Sequence, residues 1–120
     1  MTALDKALRA CASGILTAEA GVSLLIGCGG WLHREDFTSQ FITTGTDPDG
    51  VTPMATIDWH AAIAALDHGR LPCRSGERHA LKLAASVAAG IPVSMSDALT
   101  GIDHRNASLL AAAILHANGQ

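Results

Sequence analysis

Apolar positions recur at helical spacing in most segments of this chain, between stops made of glycine and proline. In the first segment Leu4, Leu8, Cys11 and Ile15 stand at i, i+4, i+7 and i+11, one face of a helix that Gly14 frays or ends. Thr17 is a good N-cap residue, so a second helix is predicted from there through Val22, Leu25 and Ile26 to the stop at Gly29-Gly30. A third begins near Arg34 and takes in Ser39–Ile42, with Phe37 and Phe41 four apart. The pattern is sharper in the second half. Asp58 is placed to cap a helix on which Trp59, Ala62, Ile63 and Leu66 share a face, ending at Gly69 with Pro72 beyond it. Ser75 caps the next, which carries Leu81, Ala84, Ala85 and Ala88 and stops at Gly90 ahead of Pro92. Ser94 and Asp97 resemble a capping box for a short helix ending at Gly101. Asp103 caps the last, which carries Ala107, Leu110, Ala111 and Ile114 and closes at Asn118-Gly119.

No segment alternates apolar and polar residues over enough length to demand a strand, and Val51–Ile57 is the one short candidate. The expected fold class is therefore all-α, a small compact bundle of about five to seven helices, some short, in a single domain over residues 1–120. The stretch Thr43–Pro53 concentrates two prolines, two glycines and two aspartates in eleven residues, which places the main internal loop or joint near 43–53.

Composition narrows this picture. Of 120 residues, 22 are alanine and 12 glycine, against two Trp, two Phe and no Tyr. Residues 21–54 hold no alanine and carry Trp31, Phe37 and Phe41. Helices packed at the close end of the usual ~8–10 Å spacing, around a small aromatic cluster, are the expected result. A chain 48% hydrophobic and 16% charged is too apolar for disorder, and its length excludes barrels and complete dinucleotide folds. A net charge of −3 argues against a general polyanion binder. The uncharged stretches Ala20–His33 and Leu83–Ser96 are fourteen residues long and interrupted by glycine, where a membrane span needs roughly 18–20 apolar residues. The start Met-Thr-Ala-Leu-Asp-Lys lacks the pattern of a signal peptide. Cys11, Cys28 and Cys73 are odd in number and widely spaced, against a disulfide framework. A cytoplasmic protein with no membrane association is expected.

The most chemically suggestive stretch is His68–Lys82, HGRLPCRSGERHALK. Ser75-Gly76 falls at a predicted helix start, where free N–H groups and the dipole favour an anion, and Arg74 and Arg78 add forked donors. Arg70, Arg74, Ser75, Gly76, Arg78 and Lys82 are thus the candidate residues for anion or partner binding. The plainer reading is a capped helix with solvated arginines and Glu77 pairing locally. Cys73 lies among these cations, which lower a thiol pKa. The run Cys73–Arg78 resembles the phosphate loop of cysteine phosphatases, but four residues intervene instead of five, Glu77 is repulsive, and no strand precedes it. No catalytic residue is assigned and no enzymatic activity is expected.

Six histidines (33, 60, 68, 79, 104 and 116) form no H-x3-H pair, and no cysteine pair has zinc spacing, so neither metal nor cofactor is expected. Asp47-Pro48-Asp49-Gly50 lacks the further ligands of a calcium loop and reads as a plain turn. Leu83–Leu99 looks like a helix-turn-helix, but its second helix, Ser94–Thr100, offers Asp97 and no Lys or Arg to DNA.

The phrases GRLPCRSGER and DALTGIDHRN, within Asp58–Gly119, resemble a group of small actinobacterial helical proteins. The resemblance implies an intracellular bacterial source and brings no activity, ligand or catalytic residue. It directs attention to Arg74-Ser75-Gly76-Glu77-Arg78 and to Asp103-His104-Arg105-Asn106, which otherwise read as two capped helix starts. The expected function is a protein-interaction or regulatory module that associates through helix faces, with a protein partner or with itself as a homodimer, because alanine faces with few large anchors leave a marginal monomer. The alternative is a nucleic-acid-associated regulator using the basic cluster at 70–82.

Overall fold

Most of the predicted punctuation is where the helices begin and end. The structure, a computed structural model, describes residues 2–120. Helix α1 (Ala3–Ala12) opens on a reciprocal cap: the Thr2 hydroxyl accepts the Asp5 N–H at 3.1 Å and the Asp5 carboxylate accepts the Thr2 N–H at 3.3 Å. Helix α2 (Leu16–Cys28) starts just ahead of Thr17, with Ile15 at the N-cap and no side-chain cap. In its place the Glu19 carboxylate accepts the Gly14 N–H at 3.0 Å. Helix α2 is apolar on nearly every side, and from Ala18 on each of its residues is buried or half-buried. It is the central element, packed by α5 (Ser75–Ala89), by α7 (His104–Ala117) and by α1.

After α2 a single 3₁₀ turn (Trp31–His33) leads into α3 (Glu35–Phe41). The three aromatics of this region form the expected cluster, with ring centroids 5.4 Å apart for Trp31–Phe37 and 5.6 Å for Phe37–Phe41, both tilted. Trp31 and Phe37 are 1% and 0% exposed. The Arg34 guanidinium lies 4.6 Å from the Trp31 ring, held by Asp36 and by the Pro72 carbonyl oxygen at 2.8 Å.

The all-α expectation is corrected between residues 42 and 57. The third helix stops at Phe41, and Ile42 begins strand β1 (Ile42–Thr46), which pairs antiparallel with β2 (Pro53–Ile57) in the register Ile42↔Ile57 to Thr46↔Pro53. The segment expected as a loop or joint is therefore a hairpin. Its tip is the plain turn expected: the Asp49 carboxylate accepts the Val51 and Thr52 N–H groups at 2.8 and 3.0 Å, and Gly50 takes φ +73°. Periodicity does not reveal β1 because the strand is exposed along almost its whole length, and on β2 only the small Ala55 is fully buried, with Ile57 half-buried beside it. The signal that is present is compositional, the β-branched Thr43, Thr44 and Thr46. Strand β2 packs on α1, and Leu8, Val22 and Ala55 form a second small cluster with Trp59 half-buried against it.

In the second half, α4 (Trp59–Asp67) is capped by Asp58, whose carboxylate accepts the Ala61 N–H at 3.1 Å. Helix α5 differs from expectation by one residue: Arg74 holds the N-cap position and Ser75 is the first helical residue. Glu77 is the reason, since its carboxylate reaches back to the Arg74 N–H at 3.1 Å. Ser94 and Asp103 cap α6 (Met95–Gly101) and α7 as expected, accepting the Asp97 and Asn106 N–H groups. Among the described residues no helix is long and apolar enough to cross a membrane.

The end of α7 is tied to the start of α2 by His116 Nε2, 2.8 Å from Glu19 Oε1. The Gly14 N–H, and then His116, hold the Glu19 carboxyl below its ordinary value. A carboxyl depressed in the folded state stabilises above its unfolded pKa, and that contribution is lost as pH falls through the folded one. Glu19→Gln should therefore lower stability near neutral pH, where the wild-type carboxylate contributes in full, and leave it nearly unchanged below the folded pKa, so that the acid limb of the stability–pH profile flattens. Urea unfolding across pH 2–6 checks this.

Candidate functional site

The basic cluster read from the sequence does not stay together. Arg78 and Lys82 on α5 both turn to Asp67 at the end of α4, with N–O distances of 3.4 and 3.3 Å to the same oxygen. Arg70 stays exposed in the α4–α5 connection, and Ser75 is exposed on the first turn of α5. Arg74 and Gly76 go elsewhere, into a cleft of about 330 Å³.

That cleft lies between the starts of α5 and α7. Arg74, Gly76, Glu77 and Ala80 line it from one side, and Asp103, Arg105 and Asn106 from the other. Cys28 to Trp31, at the end of α2, and Gly101 complete the wall. The two helix starts meet because α2 packs against both helices. Gly101, the last residue of α6, lets that helix end close against α5, since a Cβ there would overlap the His79 ring. The Trp31 indole N–H donates to the Glu77 carbonyl at 2.9 Å and so fixes the first turn of α5 against the aromatic cluster.

The first N–H groups of a helix have no partner inside it, and two such positive ends converge here. Each start spends one carboxylate on its own backbone, Glu77 on Arg74 and Asp103 on Asn106. The Arg74 and Arg105 guanidiniums have no acidic partner among the described residues. Counted by formal charge the lining is balanced, two arginines against Glu77 and Asp103. Such a cleft suits one small anionic group, not a polyanion, whose further charges would meet the two carboxylates.

The thiols beside it are not activated. Burial pushes the Cys28 thiol up, with Asp103 adding to the effect and Arg105 opposing it. Burial also pushes Cys73 up, with Glu77 next, so desolvation and its carboxylate neighbour outweigh Arg34 and Arg78. That is opposite to the direction expected for a thiol among cations. Among the described residues no three His, Cys, Asp or Glu side chains converge as metal ligands.

Two of the six candidate residues, Arg74 and Gly76, therefore line the cleft, and Arg70, Ser75, Arg78 and Lys82 do not. Counting charges along the chain leaves out Arg105 and Asn106, some thirty residues away. Their signal is the DHRN phrase at the start of α7. Comparison of the chain with protein-family models, curated proteins and solved structures finds no match.

Proposed function

We propose that the protein is a small interaction module whose cleft between α5 and α7 receives a carboxylate borne by a segment of a partner protein. The observation that carries this reading is the pair Arg74 and Arg105, on opposite walls of one cleft and without acidic partners among the described residues. A carboxylate between them gains charge-assisted, forked hydrogen bonds, while Glu77 and Asp103 select against groups of higher charge. The same balance disfavours a nucleic-acid backbone, as does the commitment of Arg78 and Lys82 to Asp67. The role is binding, not catalysis. We place it in a reducing cytoplasm, where the three half-buried free cysteines remain thiols.

Trp31 supplies the readout, because its indole N–H is bonded to the carbonyl of Glu77 in the cleft wall while Trp59 lies over the α1–hairpin cluster. A short glutamate-rich peptide titrated at low salt should shift the Trp31 indole N–H resonance and leave that of Trp59 in place. Arg105→Glu should weaken this binding at least tenfold, since a hydrogen bond to a charged group is worth about 1.5–3 kcal/mol. An unmoved Trp31 resonance overturns the reading. So does tight, steeply salt-dependent binding of an oligonucleotide that survives Arg74→Glu with Arg105→Glu.

A further inference from the structure

Helix α7 uses one side on the core and leaves the other bare. Leu110 and Ala113 are buried, while His104, Ala107, Ala111, Ile114 and Asn118 follow one another at three- and four-residue spacing along the exposed side. Ile114 and Leu115 are 50% and 56% exposed. No Asp, Glu, Lys or Arg occurs from Asn106 to Leu115.

We infer that this face joins two copies of the chain as an antiparallel pair of α7 helices, related by a two-fold axis near Ala111. The distribution of side-chain size along the face specifies a second copy. Its large residues, Ile114 and Leu115, lie toward one end and its small ones, Ala107 and Ser108, toward the other. Residue 111+k of one copy then stands level with 111−k of its partner. Ile114 and Ala107 share one edge of the face and Leu115 and Ser108 the other, so Ile114 falls beside the partner's Ala107 and Leu115 beside the partner's Ser108, and each bulky side chain meets a small one. A parallel pair sets large against large and leaves a gap at the alanine end. The antiparallel order also brings each helix N-terminus to a C-terminus, which the dipoles favour. Ala111 at the centre allows the backbones to approach closely. No charge is desolvated within the ten residues. A 14-residue helix is about 21 Å long at 1.5 Å per residue. One such face is smaller than the ~800 Å² per partner of a standard stable interface, so the pair is reversible and depends on concentration. This inference stands apart from the cleft reading and uses different residues.

Sedimentation equilibrium over a concentration series of the full chain should show the mean mass rising from 12.3 kDa toward twice that value. Ile114→Glu should abolish the rise while the helical circular dichroism stays unchanged. Mild oxidation then tests the register. Ala111→Cys should give a crosslinked dimer well above the wild-type background. Ala107→Cys should not, because two copies of residue 107 stand about 12 Å apart along the seam, beyond disulfide reach. A mass fixed at the monomer value at all concentrations overturns the inference. So does equal crosslinking of Ala107→Cys and Ala111→Cys, the mark of a parallel pair.

Discussion

Trp31→Ala is expected to destabilise the protein more than any other single truncation, by about 3–5 kcal/mol. The indole is 1% exposed and packs on Phe37 at 5.4 Å, in a chain with only four aromatic residues. Its neighbours are fixed in helices on several sides, so the cavity cannot collapse fully. The substitution also removes the donor to the Glu77 carbonyl and the face on which Arg34 rests. At roughly 4 °C per kcal/mol for a chain of this size, Tm should fall by well over 10 °C. Trp31→Phe keeps most of the buried area and loses the hydrogen bond, so it should cost about a third as much. Thermal unfolding of the two variants separates these contributions. Equal losses would mean that the hydrogen bond, not the packing, carries the effect. Both variants should also weaken peptide binding in the cleft, because the first turn of α5 loses its anchor.

Gly21→Ala should be the second most damaging change, although it adds a single methyl group. A Cβ on Gly21 would overlap the Ala88 side chain and stand 2.9 Å from the Ala84 carbonyl oxygen. Both obstacles belong to α5, and one is backbone, so no rotamer change relieves them. Helices α2 and α5 must move apart along their whole contact, and overpacking of this kind costs about 1–3 kcal/mol or somewhat more. Gly45→Ala is the matched control. It lies in β1, where an added Cβ would meet no atom within 4 Å and φ is ordinary, so it should be neutral or slightly stabilising. Urea midpoints for the two variants decide the matter. A neutral Gly21→Ala would show that the two helices are not held at this spacing.

The helix ends are legible in the sequence because they depend on neighbours a few residues away. Asp58, Ser94 and Asp103 each accept an N–H three residues on, and Gly29, Gly69, Gly90 and Gly119 all adopt positive φ near the predicted stops. The start of α5 differs by one residue because Ser75 and Glu77 compete for the same role, and only geometry shows that Glu77 prevails. The hairpin is legible by half, since β2 falls within the Val51–Ile57 candidate while its partner β1 goes unseen. The two strands bury too few side chains to write a period of two into the sequence. Half of the candidate site is visible as the charge cluster around Arg74. Arg105 is marked only by the resemblance carried by the DHRN phrase and not by any charge cluster, because nothing local ties it to Arg74. Arg78 and Lys82 join the cluster wrongly, because Asp67 is invisible as their partner until α4 is laid beside α5.

By itself, then, the sequence determined the helix boundaries, the aromatic cluster and the crowding of alanine that demands close packing. These follow from interactions within a few residues and from composition. Only the tertiary structure decided which cations remain free. It sets the starts of α5 and α7 on either side of the end of α2, turns Arg78 and Lys82 onto a carboxylate, and leaves Arg74 and Arg105 facing one cleft. Electrostatic pairing acts through space over a few ångströms, and distance along the chain carries no record of it.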